Sequence, residues 1–512
     1  MRGKWKQINI GFSCFLLVSL VSGCGTSATS GSQSTNVPTL VVDEANDPST
    51  LDPGLQYNLE SYTVYRNIFD NLLHRDPVSL KIVPWVAESW KQDSPTTWTF
   101  TIRNDITFQN GDKLTADDVA FSLQRILDPS LHSPQNANFS VVKSVASSGN
   151  TVTITTAKPA PTLLSELTTL SIVPKKYIQQ HGNEYFNLHP IGSGPYELDK
   201  WEKGNQVVLK ANTNYWKGQS EIKQVVFRSV PNDASRVADL QSGKADIAFP
   251  ISPDDVQTIK GSSNLQVLSA PTERVAYLAF NVLGNTPVKS ALLRRAIAYG
   301  INYPSLMSSL EHGYAQPVKE VLTPVAFGYD KNVPGFEYNP SRAKELVQQA
   351  GYSNGVTLTF ATSPSYDQRI IQAIQGDLSQ IGIKVNIVST DQATYLKKIQ
   401  NSSHNWGDIR MGTWSCSCMD ADGTIYPLFH TGSIWSSYSN KSFDSLVDDA
   451  RTNTDTNQRM KDYNQAFTIL QNDVPGIGLW QMDSLYGASK RIQWKPDAQE
   501  NFFVQDIKLQ KK

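Results

Sequence analysis

The stretch from residue 339 to residue 388 constrains the fold of this chain more than any other segment. Asn339 can cap a helix, Pro340 suits its first position, and Gly351 suits the left-handed stop after it. Three apolar patterns follow, alternating, then helical, then alternating again, at 356–360, 370–381 and 383–387. This order predicts a βαβ unit with a right-handed crossover and a partly parallel sheet, whose strand ends usually carry ligand clefts.

Length and charge narrow the class of protein. A chain of 512 residues is long enough for several domains. Its 46 Lys and Arg residues balance 47 Asp and Glu residues, for a net charge of -1, and no basic run is long enough to follow a phosphate backbone. We therefore expect no nucleic-acid partner.

The N-terminus has the pattern of an export signal. Arg2, Lys4 and Lys6 precede an apolar run at 8–21, which is too short and wrongly flanked for a stable membrane span. Residues 20–24, Leu-Val-Ser-Gly-Cys, resemble the lipobox of bacterial lipoproteins. That resemblance implies a signal peptide at 1–23, with cleavage before Cys24 and lipid on its thiol. The alternative is an ordinary signal peptide.

The polar residues that follow predict a tether and a location. Residues 24–36 are rich in Ser, Thr and Gly, so we expect a flexible link between membrane anchor and folded body. The protein would then lie on the outer face of the cell membrane, on the periplasmic side if the source has an outer membrane.

Of the four cysteines, Cys14 leaves with the signal and Cys24 carries lipid, so only Cys416 and Cys418 remain and no disulfide framework is expected.

Several short segments predict local structure without indicating chemistry. Residues 39–42 have the pattern of a first strand, and 61–73 that of a helix with one apolar face. Alternating Trp98, Phe100 and Ile102 predict a half-buried strand, and Asn110-Gly111 predicts a hairpin turn. Thr115 and Asp118, three residues apart, predict a capping box for a helix that ends near Pro129.

The loop from Trp414 to Gly423 is the strongest candidate for a ligand-binding wall. It brings an indole, two thiols and two carboxylates together between a strand-length segment at 408–412 and the apolar run at 425–429. Because functional side chains often lie on loops between ordered elements, we expect this loop to face a cleft.

A block of short motifs at 87–122 is followed by further motifs along the chain. These are Pro190-Ile-Gly-Ser-Gly-Pro-Tyr196, Asn212-Thr-Asn-Tyr-Trp216, Ser242-Gly-Lys-Ala-Asp246, Phe280-Asn281 and Arg294-Arg-Ala-Ile297. In order and spacing this set resembles the family-5 solute-binding proteins, the peptide and nickel receptors of bacterial ABC importers. The resemblance covers nearly the whole chain after the tether.

The resemblance implies a two-lobed α/β fold of the periplasmic-binding-protein type (class C or type II, a venus flytrap), with an extra domain inserted in the first lobe. We place the first lobe at 37–75, 193–285 and 485–512, the insert at 76–192 and the second lobe at 286–484. Hinges would lie where the chain crosses between the lobes. Internal repeats are not apparent.

The resemblance also implies a mechanism and partners. The two lobes close on a small solute, most plausibly a peptide or a similar compound, and the closed form docks on ABC permease subunits. We expect a monomer without a cofactor or a resident metal. Closure requires contacts from both lobes, because a ligand shifts the equilibrium between the open and closed forms only through its higher affinity for the closed form.

The predicted solute contacts are Tyr57, Asn58, Leu59, Tyr277, Asn281, Trp414, Cys416, Ser417, Cys418, Asp420 and Asp422. For the aromatic residues, core or hinge packing is the alternative.

Residue 417 differs from the pattern of the peptide-binding relatives and leaves more than one class of solute open. Peptide-binding relatives typically place an aspartate three residues after this tryptophan, where it pairs with the ammonium group of the peptide. Here that residue is Ser417. A buried ammonium without a carboxylate is costly, so either Asp420 or Asp422 replaces it, or the solute is a sugar, an opine-like compound or a metal chelate. Both carboxylates can instead cap the following turn.

Cys416 and Cys418 allow three interpretations. They can form a disulfide, act as small apolar side chains, or bind a soft metal together with His404 and His430. The histidine spacing does not resemble a standard zinc site, so we favour a disulfide or packing.

Two further classes remain as alternatives. An enzyme, such as a glycosidase, would need a carboxylate pair, with Asp420 and Asp422 or Asp117 and Asp118 as candidates. Asp117 and Asp118 start a helix, and the chain lacks Gly-x-Ser-x-Gly, His-Glu-x-x-His and P-loop motifs, so we predict that it is not an enzyme. A sensor that signals through a partner would use the same cleft as a receptor.

Overall fold

A computed structural model describes residues 38–56 and 58–510 of the chain. The predicted signal peptide at 1–23, the lipid site Cys24, the tether at 24–36 and the candidate solute contact Tyr57 lie outside the described residues. All geometry below refers to these two ranges.

Nineteen strands are found in the described residues, and most belong to one large mixed sheet. Their bounds are β1 Thr39–Glu44, β2 Leu73–Arg75, β3 Ile82–Pro84, β4 Ala87–Ser94, β5 Thr97–Ile102, β6 Val142–Ser148, β7 Thr151–Thr156, β8 Tyr196–Glu202, β9 Gln206–Ala211, β10 Gln224–Ser229, β11 Ile247–Phe249, β12 Leu265–Phe280, β13 Ala315–Pro317, β14 Val356–Thr362, β15 Ile383–Ser389, β16 Ile409–Trp414, β17 Gly476–Ser489, β18 Ile492–Gln493 and β19 Lys508–Leu509. The large sheet has the order β15-β14-β16-β12-β17-β11-β1-β10-β9-β8, and β13 also pairs with β17.

Helices cover the sheet and build the surrounding layers. Their bounds are α1 Leu59–Tyr65, α2 Ala116–Leu127, α3 Asn136–Phe139, α4 Leu163–Leu167, α5 Lys175–His181, α6 Asn183–Leu188, α7 Asp233–Ser242, α8 Val256–Lys260, α9 Ala291–Gly300, α10 Tyr303–Ser309, α11 Pro340–Gln349, α12 Gln368–Gln380, α13 Gln392–Ile399, α14 Asp422–Phe429, α15 Lys441–Thr452 and α16 Thr456–Asp473. Short 3-10 turns lie at Pro129–Leu131, Pro253–Asp255, Pro287–Lys289 and Val504–Asp506.

The βαβ unit predicted from the sequence is confirmed. Strands β14 and β15 pair in parallel through all seven residues of each, with α12 as the crossover between them. Ahead of the unit, the Asn339 side chain accepts a hydrogen bond from the Arg342 amide at 2.9 Å, so it caps α11 as expected. Gly351 has a φ of 92°, the left-handed conformation that stops a helix.

The helix predicted at 61–73 is shorter than expected. It begins at Leu59, capped by Asn58, and ends at Tyr65. The backbone carbonyls of Asn67 and Ile68 accept from the amides of Tyr196 and Gly194, at 3.0 and 2.9 Å, instead of extending the helix. A Cβ on Gly194 would lie 2.7 Å from the Ile68 carbonyl, so only glycine permits this approach.

A second sheet, β4-β5-β7-β6, lies within the segment predicted as the insert, and α2 packs against it. The capping box is confirmed, because the Asp118 carboxylate accepts from the Thr115 amide at 2.9 Å. Buried side chains of this sheet, such as Phe100 and Ile154, form a hydrophobic cluster separate from those around Phe227 and Phe360. The domain boundaries themselves stay a prediction.

The antiparallel pair β12 and β17 runs through the middle of the large sheet. Strand β12 pairs with β17 from Leu265 to Ala279, but the register shifts between Pro271 and Val275. Such irregularities free side chains from the regular alternation and redirect them. The unpaired stretch between these residues contains Thr272, Glu273 and Arg274.

Within the described ranges, no helix is both long enough and apolar enough to cross a membrane.

Glu44, at the end of β1, provides a test of the packing. Its side chain is 3 % exposed, and neither carboxylate oxygen has a hydrogen-bond partner among the described residues. Burial, with Glu60 and Asp47 nearby, raises the pKa of Glu44 well above 4.5. Because the folded state holds this proton more tightly than the unfolded state, folding stability should fall as pH rises from about 4.5, by about 1.4 kcal/mol per unit of pKa difference.

Glu44→Gln should remove this contribution. Denaturant unfolding near pH 8 should find the variant more stable than the parent chain, with little difference near pH 4. The exposed Glu221→Gln variant is the matched control and should follow the parent. An unchanged pH dependence in Glu44→Gln would show that the carboxylate is ionised and solvated in the folded state.

Candidate functional site

The loop after β16 is folded around a disulfide between Cys416 and Cys418. The Met419 amide donates to the Cys416 carbonyl at 2.8 Å, which closes a tight turn. Gly423, in the first turn of α14, lies against both sulfur atoms, and a Cβ there would overlap them. Trp414 Nε1 donates to the Gly423 carbonyl at 2.8 Å, so the indole ties the end of the strand to the start of the helix.

This loop forms one wall of a cavity of about 970 Å³. The other walls come from residues 58–75, 137–169 and 499–503, together with Glu273 and Arg274. The volume is in the usual range for a site that takes a small molecule. Its ionisable lining residues include both signs of charge: Arg66, His74, Arg75, Lys158, Glu166, Glu273, Arg274, Asp422, Arg451 and Glu500.

The register shift in β12 supplies two of these charges. The Glu273 amide donates to the Ala498 carbonyl at 2.9 Å, which holds the C-terminal segment against the irregular part of the strand. The Arg274 guanidinium forms an ion pair with Glu500 in that segment, with a distance of 2.9 Å between Nη2 and Oε2. In contrast, no described residue donates a hydrogen bond to the buried Oε2 atom of Glu273.

Residues of α1 and β2 build the adjacent wall. The Arg66 guanidinium lies 4.3 Å from the centre of the Tyr62 ring and donates to the Asn501 side chain. Arg75 donates to the Leu80 carbonyl at 2.9 Å and to Ser165 Oγ at 3.0 Å, both neutral acceptors. This end of the cavity therefore has three guanidinium groups, of Arg66, Arg75 and Arg274, around two carboxylates, Glu273 and Glu500.

Asp422 lies at the opposite side with Arg451. The distance between Asp422 Oδ1 and Arg451 Nε is 3.0 Å, and the guanidinium stacks 3.7 Å above the centre of the Tyr426 ring. Burial raises the pKa of Asp422 to about 6, although Arg451 opposes the shift. Asp422 therefore lines the cavity with a partner already in place.

Glu166, from α4, is a second cavity carboxylate with an unpartnered oxygen. It is 9 % exposed, lines the cavity, and its buried Oε2 atom accepts no hydrogen bond from a described residue. Burial raises the pKa of Glu166 to about 8; Asp422 and Asp420 add to the shift, and Arg75 opposes it. One of its oxygens and the sulfur atoms of Cys416 and Cys418 all lie within 4.8 Å of one another.

Asp420 has a different environment from Asp422. Its carboxylate is buried beneath the loop, and both oxygens lie 2.9 Å from Nη2 of Arg459. Tyr463 donates to the same carboxylate at 3.2 Å, and the Asp422 amide at 3.0 Å. Asp420 is not among the residues that line the cavity, and its acceptor positions are filled by protein groups.

The remaining candidate residues divide into two sets. Asn58, Leu59, Trp414, Cys416, Ser417 and Asp422 line the cavity, so the structure brings them together, although their contact with a solute stays a prediction. Cys418, Tyr277 and Asn281 are buried away from it. Tyr277 accepts a hydrogen bond from Arg410 at 3.0 Å, and the Asn281 amide donates to the His404 and Gly407 carbonyls, which are packing roles.

The disulfide decides among the interpretations of the cysteine pair. His404 bonds Ser437 at 3.1 Å and His430 bonds the Thr431 carbonyl at 2.8 Å, and neither histidine joins the sulfur atoms. In the described ranges, Glu166 and the two cysteines are the only group of three potential metal ligands, and both sulfur atoms are tied in the disulfide.

Sequence reasoning missed most of the charged lining. Glu166 and Arg451 lie on helices with no distinguishing motif, and only their tertiary placement brings them to the cavity. Glu273 and Arg274 did have a signal. A proline and two adjacent charges, Pro271-Thr272-Glu273-Arg274, interrupt an otherwise apolar strand, which predicts a bulge.

Comparison with known proteins identifies what the chain is similar to. The model of the bacterial extracellular solute-binding proteins, family 5, middle region, matches residues 81–436. The chain is 29 % identical over 491 residues to the glutathione-binding protein GsiB of Shigella flexneri serotype 5b, covering 92 % of this chain and 94 % of the relative. GsiB of Escherichia coli K12 is also 29 % identical, over 490 residues.

Solved structures share the fold. The periplasmic binding protein DppA of Helicobacter pylori, in complex with the peptide STSA, is 26 % identical with a TM-score of 0.79, over 92 % of this chain and 98 % of its own. The substrate-binding protein CtaP of Listeria monocytogenes has a TM-score of 0.84 at 23 % identity, over 92 % and 99 %. The periplasmic-binding-protein fold expected from the sequence is confirmed.

Asp420→Asn should destabilise the chain. Removing one partner of a buried ion pair leaves the Arg459 charge uncompensated, which costs about 3–5 kcal/mol. Denaturant unfolding measures the loss, and Asp448→Asn on the exposed face of α15 is the control. Unchanged stability together with a selective loss of affinity for ligands with an ammonium group would instead place Asp420 at the solute.

Proposed function

Since the chain belongs to the family-5 bacterial extracellular solute-binding proteins, we propose that it captures a short peptide or peptide-like solute and delivers it to an ABC import permease. The family expected from the sequence is confirmed by the match over residues 81–436. The observation that carries the choice of solute is a cavity of about 970 Å³ in which Oε2 of Glu166, Oε2 of Glu273 and Oδ1 of Asp422 have no hydrogen-bond donor among the described residues, and of these three carboxylates only Asp422 has an ion-pair partner.

The distribution of charge favours a zwitterion. The guanidinium groups of Arg66, Arg75 and Arg274 outnumber the carboxylates of Glu273 and Glu500 in one part of the cavity. The carboxylates of Glu166 and Asp422 lie near the disulfide loop, where only Asp422 has an ion-pair partner, Arg451. A peptide has a carboxylate at one end and an ammonium at the other, so both can be paired when water is excluded. A neutral sugar would leave Glu166 without a charged partner, and buried polar groups without partners are costly.

We assign the ammonium group to Glu166. Peptide-binding relatives typically have an aspartate at the position of Ser417. In this chain Ser417 lies between the two cysteines, whose sulfur atoms are near the Glu166 carboxylate. Asp420 and Asp422 already have guanidinium partners, at 2.9 and 3.0 Å. Glu166 therefore supplies a negative charge beside residue 417 from a different part of the chain.

Solute capture also requires contacts from facing walls. In the proposed domain plan, the cavity takes Arg66 and Glu273 from the first lobe (37–75, 193–285, 485–512), Glu166 from the insert (76–192) and Trp414 from the second lobe (286–484). One direct bond already joins the facing walls, from Gln499 Nε2 to the Ser417 carbonyl at 3.1 Å. A peptide that bridges the same walls would favour the closed form.

The named ligands of similar proteins support a peptide. The relatives in Shigella and Escherichia are named for glutathione, and the Helicobacter protein holds the peptide STSA. The glycosidase alternative has no comparable support. Asp420 and Asp422 are each held in an ion pair, and members of the family are solute-binding proteins.

Glu166→Gln should weaken the binding of peptides with a free amino terminus. A hydrogen bond to a charged group contributes about 1.5–3 kcal/mol, so affinity should fall roughly ten- to hundred-fold. Titration calorimetry with a peptide and its N-acetylated form measures the effect. The parent chain should prefer the free peptide, and the variant should lose that preference. Glu184→Gln, exposed on α6, is the control.

The pH dependence gives a second readout for the same residue. Glu166, with a pKa of about 8 in the empty cavity, must lose its proton to pair with an ammonium group, so binding near pH 7 should release protons. Affinity should rise from about pH 6 towards the pKa of the ligand's amino group, near 8. The N-acetylated peptide should show neither effect. An equal preference for the free peptide in both proteins would rule out Glu166 as its partner.

The proposal includes attachment to the membrane through lipid on Cys24, facing outward. Cys24→Ser removes the acceptor thiol, so the variant should move from the membrane fraction to the soluble extracytoplasmic fraction. Fractionation followed by immunoblotting measures this, with Cys14→Ser as the control that should stay attached. Retention of Cys24→Ser on the membrane would contradict the lipid assignment.

A further inference from the structure

The disulfide between Cys416 and Cys418 forms part of the cavity wall. Cys416 is half-buried and lines the cavity, whereas Cys418 is 2 % exposed and does not. A molecule in the cavity can therefore reach one sulfur atom of the pair. This asymmetry is what thiol–disulfide exchange requires, because one sulfur accepts the attacking thiolate and the other leaves.

Groups around the disulfide suit each stage of an exchange. Cys418 Sγ lies 3.7 Å from the Asp420 carbonyl oxygen, which is placed to accept a hydrogen bond from a Cys418 thiol. The Cys418 amide donates a hydrogen bond to Cys416 Sγ at 3.2 Å, which fixes the position of the sulfur that the ligand would attack. Cys416 thus has the accessible sulfur, and Cys418 has a prepared place for the thiol.

We infer that this disulfide is a covalent capture site for thiol-bearing peptides, which form a mixed disulfide with Cys416. The inference rests on the proposed function, because the peptide must first occupy the cavity. Among peptides, those with a cysteine side chain would be held longer than analogues of the same shape without a thiol.

The exchange needs no outside oxidant or reductant. The ligand thiol gives its proton to water, and its thiolate attacks Cys416 Sγ. A bond forms between the ligand sulfur and Cys416, the bond to Cys418 breaks, and the electron pair stays on Cys418, which takes a proton from water. Attack by Cys418 on the mixed disulfide reverses the step and releases the ligand unchanged.

Glu166 makes the exchange selective. Its carboxylate is within 4.8 Å of both sulfur atoms, so when ionised it repels a free anionic thiolate. A peptide whose ammonium group pairs with Glu166 neutralises this charge. Its own thiol is then held in the cavity near Cys416 Sγ. The site would therefore favour thiol-bearing peptides with a free amino terminus over small thiol-bearing acids that have no ammonium group.

The test uses reduced glutathione and its S-methyl derivative as probes for the purified protein. After incubation, acid quenching and alkylation of free thiols, intact mass measurement and digestion locate any adduct. Glutathione should add one whole peptide at Cys416 and leave Cys418 alkylated, whereas the S-methyl derivative should bind without an adduct. Excess S-methyl derivative should suppress the adduct by occupying the cavity.

Two variants make the outcome specific. The Cys416→Ala/Cys418→Ala double variant removes both sulfur atoms of the pair and should lose the adduct completely. At about pH 9, above the pKa of about 8 of Glu166, Glu166→Gln should speed the reaction with mercaptoacetate, an anionic thiol, because the repelling charge is gone; at about pH 7, where Glu166 is mostly protonated, the two proteins should react alike.

The possible failures are distinguishable. Binding of the S-methyl derivative without a glutathione adduct would overturn covalent capture and leave peptide binding intact. An adduct that excess S-methyl derivative does not suppress would place the reaction outside the cavity, and would equally overturn the inference. If neither probe binds and no adduct forms, both this inference and glutathione-like peptides as the solute are wrong.

Discussion

The cost of burying an ionised carboxylate without a partner governs this cavity. A carboxylate removed from water loses several kcal/mol of solvation unless a cation or hydrogen-bond donors replace it. Two of the four carboxylates that line the cavity have a guanidinium partner, Glu500 with Arg274 and Asp422 with Arg451. Glu166 does not, and its pKa of about 8 reflects the missing partner. A ligand that brings an ammonium group would remove that cost.

Irregular parts of the fold determine which other charged groups face the cavity. The register shift in β12 turns Glu273 and Arg274 into the cavity, and the C-terminal segment held by Ala498 adds Glu500 beside them. On the facing wall, Gly423 lets the first turn of α14 lie directly on the disulfide, which aligns Ser417 with Gln499 across the cavity. Irregular backbone at these positions thus determines which charged side chains line the cavity, while the regular strands of the large sheet support the loops that carry them.

The sequence predicted local order well and the charge arrangement poorly. Capping by Asn339, the capping box at Thr115 and the βαβ unit depend on residues close in the chain, and all are confirmed. The helix predicted at 61–73 stops at Tyr65 because carbonyls near its end bond to the distant amides of Gly194 and Tyr196. Asp420 and Asp422 look alike in sequence, yet only the folded chain shows that Arg459 neutralises Asp420 beneath the loop. Glu166 had no local signal, since its role depends on residues about 250 positions away.

Native mass spectrometry of the purified protein, followed by denaturation and identification of the released small molecule, tests the account most directly. The account predicts a short peptide with a free amino terminus that stays bound under native conditions and is absent from Glu166→Gln prepared in the same way. Release of a sugar or a metal chelate, from the parent chain and Glu166→Gln alike, would contradict the claim that the unpartnered carboxylate of Glu166 selects the solute.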